Sequence, residues 1–191
     1  MTGLKAVRQV KHHNVRLNLM YKILLTLVIA TLLAPSHSFA KQSVDSIMAR
    51  IKARGANFVV RETYRNPAEW SSLMALIGSG DPAWLQVARL LSPGTDGSSA
   101  EELTTAAGDA LEANPTDALQ ILWPTFGLGM CQFLPDQTEP RYHTFKQAIG
   151  RLEKRLRKLR SVTKPNLIPA RDACIEELRS WGHEVEQIYE K

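Results

Sequence analysis

Apolar residues recur at three- and four-residue intervals along most of this chain, the spacing of amphipathic helices, and strand-like alternation is nearly absent. Val44, Ile47, Met48 and Ile51 open the series behind a capping Ser43, and the spacing resumes at Phe58, Val59 and Tyr64. Together they predict a helix reaching about Arg65, weakened at Gly55. Asn66-Pro67 and Asp81-Pro82 each set a good cap before a proline at the first helical position. Trp70, Leu73, Met74 and Ile77 follow the first cap, up to a stop at Gly78-Ser79-Gly80. Trp84, Leu85, Ala88 and Leu91 follow the second. The two tryptophans are expected in the core.

Pro93–Gly97 is rich in turn residues. Ser98 or Ser99 with Glu101 or Glu102 predicts a capping box ahead of Leu103, Ala106, Ala107, Ala110 and Leu111. Asn114-Pro115 punctuates again, and Asp117–Trp123 predicts a short helix stopped by Pro124. Gly127–Gln137 reads as irregular. A long helix is expected from about Arg141 to Val162, with Phe145, Ile149, Leu152, Leu156 and Leu159 as its seam. Pro165 and Pro169 bracket a linker to a last helix carrying Ala173, Cys174, Leu178, Trp181, Val185 and Ile188. The pattern predicts an all-α fold, a compact bundle or HEAT-like array of about six to seven helices.

One segment breaks this pattern. Ile23–Ala34 is an apolar run interrupted only by Thr26 and Thr31, preceded by Lys22 and ended by Pro35. Ser38-Phe39-Ala40 then supplies small residues at the −3 and −1 positions of a cleavage site, so an export signal cut between Ala40 and Lys41 is expected. The run spans about 18 Å as a helix, short of a roughly 30 Å hydrocarbon core. No cysteine follows the site, so no lipid anchor and no stable membrane anchor are expected after cleavage. Residues 1–19 add polar sequence beyond a normal leader, which favours a translation start at Met20. The expected organisation is a leader over 1–40, then a single helical domain over 41–191, in the periplasm or secreted.

Export changes the meaning of the charge. The whole chain carries 24 Lys+Arg against 19 Asp+Glu, a net +5. Lys5, Arg8, Lys11, Arg16 and Lys22 fall before residue 41, where there is no acidic residue. Lys41–Lys191 is therefore formally neutral, and the electrostatic argument for a nucleic-acid partner disappears. That span holds two cysteines, Cys131 and Cys174, which an oxidising compartment would join in one disulfide.

Arg151–Arg160, RLEKRLRKLR, is the main concentration of charge. Arg151, Lys154, Arg155, Arg157 and Lys158 form a possible interaction surface, balanced against the simpler reading of a solvated helix face. Only His143 and His183 remain after residue 40, without a ligand pattern, so no metal and no cofactor are expected. Ser161-Val162-Thr163-Lys164 has the Ser-x-x-Lys form of penicillin-binding enzymes but lacks their partner motifs. Gly127–Phe133 resembles the Gly-Leu-Met-Gln signature of lytic transglycosylases over a handful of residues. The catalytic Glu-Ser of that family has no counterpart, since neither Glu112 nor Asp117 precedes a serine.

The stretch from Trp70 through Pro115, including IGSGDPAWLQVARLLSPGTDGSSAEELTTAAGDALEANP, resembles a group of small exported bacterial helical proteins. In that group "GD..WL..A..L" precedes a helix ending "AL..NP". The resemblance extends from about Ser43 to Cys174. Its motifs are caps and core positions, so it implies a fold and no chemistry. The functional expectation is a non-enzymatic exported binding or accessory protein, of inhibitor or immunity type, whose partner is another protein in the periplasm. Loops Gly94–Ser99 and Gly127–Gln137 would present the binding surface. The alternative is a peptidoglycan hydrolase using carboxylates such as Glu62 and Glu69.

Overall fold

A computed structural model describes residues 43–132 and 143–189. They form eight α-helices: α1 (Val44–Arg54), α2 (Ala56–Tyr64), α3 (Pro67–Gly78), α4 (Pro82–Leu91), α5 (Gly97–Ala113), α6 (Pro115–Phe126), α7 (Phe145–Arg160) and α8 (Ile168–Tyr189). Short 3-10 turns cover Ser92–Gly94, Gly127–Cys131 and Pro165–Leu167, and there is no strand among the described residues. The all-α expectation holds. The expected cleavage site at Ala40–Lys41, the apolar run Ile23–Ala34, and Phe133–Gln137 lie outside the described residues.

The caps sit where local chemistry placed them. Ser43 Oγ accepts from Ser46 N at 3.2 Å, Asp81 Oδ1 from Ala83 N at 2.8 Å, and the Asn66 and Asn114 side chains accept from Glu69 N and Asp117 N, each at 3.4 Å. Thr144 and Gln147 complete a capping box on α7, which therefore begins at Phe145, the first residue of its apolar seam; the expected start at about Arg141 lies outside the described residues.

Three further boundaries differ from expectation. The first helix divides at Gly55, whose φ of 81° lies in the left-handed region and ends α1 while starting α2. That division makes eight helices among the described residues where about six to seven were expected. Asp96, rather than Ser98 or Ser99, begins α5, and its N–H donates to Ser99 Oγ at 3.0 Å. Pro124 does not stop α6. It lies in the last turn, where a missing N–H removes a single helical bond, and the helix runs on to Phe126 before Gly127 turns away.

Helices adjacent in sequence pack together, and so do α2 with α4, α3 with α5, α4 with α6, α5 with α7, and α6 with α8. Packing at a stagger of two is the habit of stacked helical arrays. The loops stack as well: Asn114 Nδ2 donates to Gly80 O at 3.1 Å, joining the α3–α4 and α5–α6 connections. Ile47, Leu73, Leu85, Leu111, Leu122 and Leu178 are fully buried in one continuous core, with Trp70 and Trp84 beside them.

The Ser92–Gly94 turn lies directly on the start of α2. A Cβ at Gly94 would come within 2.7 Å of Asn57 Cα and still closer to neighbouring backbone atoms. Backbone cannot rotate aside as a flexible side chain can. Gly94→Ala is therefore expected to destabilise the fold by about 1–3 kcal/mol. A denaturant midpoint unchanged from the parent would contradict that packing.

Candidate functional site

Helix α5 is flanked by α3 and α7, and a surface cleft of about 700 Å³ lies over it between them. Glu102, Thr105, Asp109 and Glu112 reach the cleft from α5 because spacings of three, seven and ten place them on one helical face. Leu103, Ala107, Ala110 and Leu111 take the opposite face into the core. Ser71, Ala75 and Gly78 form the α3 wall, and Arg151 and Lys154 form the α7 wall. Ser71, Ala75 and Thr105 are exposed, so the cleft is open to solvent at those positions.

The charges of the cleft engage one another. Glu112, with 7% of its side chain exposed, meets Arg151 at 2.7 Å and Lys154 at 2.6 Å. Asp109 Oδ1 meets Arg151 at 3.4 Å and Arg155 at 3.3 Å. Burial of a carboxylate such as Glu112 requires this pairing, because an isolated buried charge is strongly unfavourable. At the other end, Glu102 accepts from the Trp70 indole N–H at 2.7 Å and from the Tyr64 hydroxyl at 3.4 Å. The Tyr64 and Trp70 rings meet edge to face, with centroids 5.3 Å apart.

The expected basic surface is thereby divided. Arg151 and Lys154 hold the α5 carboxylates. Arg155 is only 3% exposed, so it is an interior residue and the surface expectation is corrected at that position. It fits because Gly108 beneath it has no side chain: a Cβ there would sit 3.1 Å from Arg155 Nη1. Arg157 and Lys158 remain exposed, Arg157 having only a 3.8 Å contact to Glu153.

Cys131 and Cys174 are joined in a disulfide with Cα atoms 5.2 Å apart, tying the Gly127–Cys131 turn to α8, and both are fully buried. Gly94 and Ser99 are buried, leaving Thr95–Ser98 as the accessible part of that loop. The Ser161 hydroxyl donates to Lys158 O and Lys164 Nζ to the Gln120 side chain, so the Ser-x-x-Lys resemblance has no nucleophile pair behind it.

Glu62 and Glu69 do not line the cleft. Arg50 donates to both at 3.1 Å, linking α1, α2 and α3 across the Gly55 break. Burial works against the Arg50 charge, but the hydrogen bonds to Glu69 and Glu62 outweigh it and hold the guanidinium above its ordinary pKa. Among the described residues, no group of three or more His, Cys, Asp or Glu is arranged to hold a metal ion. None of the described helices is long and apolar enough to cross a membrane, and the disulfide is compatible with an extracytoplasmic location.

Comparison of the chain with protein-family models, curated proteins and solved structures finds no match.

Proposed function

We propose that this chain is a non-enzymatic exported helical binding protein that holds a segment of another periplasmic protein in the cleft over α5, as an inhibitor or immunity-type protein would. The observation that carries this reading is the cleft itself. Its volume of about 700 Å³ lies in the range of ligand clefts, and its exposed Ser71, Ala75 and Thr105 leave it open enough to admit a chain segment. Its acidic and basic residues are mutually paired, so it offers shape, hydroxyls and a fixed charge pattern rather than a free acid or base. Stacked helical arrays commonly present grooves of this kind.

Thr105→Trp places a bulky side chain at an exposed position of the cleft without touching the core. The expected outcome is an unchanged Tm and at least a tenfold weaker capture of the partner recovered from periplasm by the parent protein, since interface centres dominate affinity. Equal capture by both would exclude the cleft as the binding surface. Hydrolysis of purified peptidoglycan, lost on Glu62→Gln or Glu69→Gln, would instead establish the hydrolase alternative.

A further inference from the structure

A second cleft, of about 550 Å³, lies where the end of α7 meets the outer face of α8, lined by Arg160, Arg171, Asp172, Ile175, Glu176 and Arg179. Residues 171, 172, 175, 176 and 179 share one face of α8 by helical spacing, and Arg160 is the last residue of α7. Three guanidinium groups from two helices thus border one cavity, with Ile175 as an almost buried apolar wall.

Their engagement differs. Arg171 is held in place: Nη1 donates to Val162 O at 2.9 Å, and Nε donates to Asp172 at 2.8 Å. Arg160 and Arg179 are exposed, and neither makes a hydrogen bond or ion pair among the described residues. Asp172 is taken by Arg171, so Glu176 is the single uncommitted carboxylate facing two uncommitted cations. The negative end of the α7 dipole accounts for a cation at Arg160. It does not account for Arg179, in the body of α8.

The geometry points to an anion-binding site in this cleft, with Arg160 and Arg179 closing on a phosphate group from opposite helices and Arg171 supporting its edge. Guanidinium forks match the planar and tetrahedral oxygens of such groups with paired donors. The site is independent of the cleft over α5. The same phosphate chemistry comes from a free phosphate compound or from a lipid headgroup.

The test titrates the full chain with pyrophosphate, and in a second arm with vesicles of phosphatidylglycerol against phosphatidylcholine. The apolar stretch Ile23–Ala34 and the five basic residues before residue 41 are present in every variant, so both arms are read as differences between variants and parent. Arg160→Gln and Arg179→Gln are each expected to weaken binding about tenfold, the loss of a charge-assisted hydrogen bond. Glu176→Gln is expected to tighten it several-fold, and Arg157→Gln to leave it within about twofold. Saturable pyrophosphate binding with this pattern, without selective vesicle binding, supports a free phosphate ligand; the same pattern on phosphatidylglycerol vesicles alone supports a headgroup. Absence of binding in both arms, or binding that Arg157→Gln weakens as much as Arg160→Gln and Arg179→Gln do, overturns the site.

Discussion

Replacing both cysteines, Cys131→Ala with Cys174→Ala, is expected to lower the stability of the fold by about 4 kcal/mol. The bond closes a loop of 43 residues, and the chain-entropy estimate for that length is about 4 kcal/mol. The site gives that constraint a structural purpose. The Gly127–Cys131 turn packs on α5 and α8, and both cysteines have no exposed surface. Without the bond, the turn keeps its burial but loses its tether to a helix far along the chain. For a domain of this size the corresponding fall in Tm is roughly 8–16 °C. Thermal melts of the parent and the double alanine variant read it directly, and melts that coincide within two degrees would show that packing alone holds the turn. Reduction of the folded parent should be slow, because a buried sulfur is inaccessible to an attacking thiolate.

Which features were legible follows from how far apart the interacting residues lie. The caps at Asn66, Asp81 and Asn114 act within three residues, so the sequence pattern located them. The apolar faces of α3, α4 and α5 were equally visible, because a helix repeats its face locally. Gly55 was harder: a glycine in a helical pattern is either tolerated or a break, and only the backbone angle distinguishes them. The Asp96 start of α5 was missed because Ser98, Ser99, Glu101 and Glu102 offered an equally good local box. The cleft was out of reach for a different reason. Glu112 meets Arg151 across 39 residues, and Asp109 meets Arg155 across 46. The polar stripe of Glu102, Thr105, Asp109 and Glu112 was present in the spacing of α5, yet an identical stripe marks any solvated helix face. The anion cleft joins Arg160, the end of the Arg151–Arg160 run, to Arg179, 19 positions away on the next helix, where no run of charge marks its partner.

The sharpest consequence concerns two arginines of one charge run. Arg155→Ala is expected to cost about 3–5 kcal/mol, whereas Arg157→Ala should stay within about 0.5 kcal/mol of the parent. Both residues belong to the same basic stretch of α7, and composition cannot separate them. Arg155 is 3% exposed, pairs with Asp109 at 3.3 Å and donates to Gln132 O at 3.4 Å. Truncating it removes a charged partner from a partly buried carboxylate and leaves a cavity beside Gly108 and the Met130 carbonyl. Arg157 has 64% of its side chain in solvent, where an ion pair at 3.8 Å is screened and contributes little. Arg155→Met tests the mechanism, since it restores volume without charge. A cost mostly recovered by methionine would assign the effect to packing; a cost that persists would assign it to the Asp109 charge. Urea denaturation of the three variants provides the measurement. Equal midpoints for Arg155→Ala and Arg157→Ala would mean that the α5–α7 contact is not organised around the buried guanidinium.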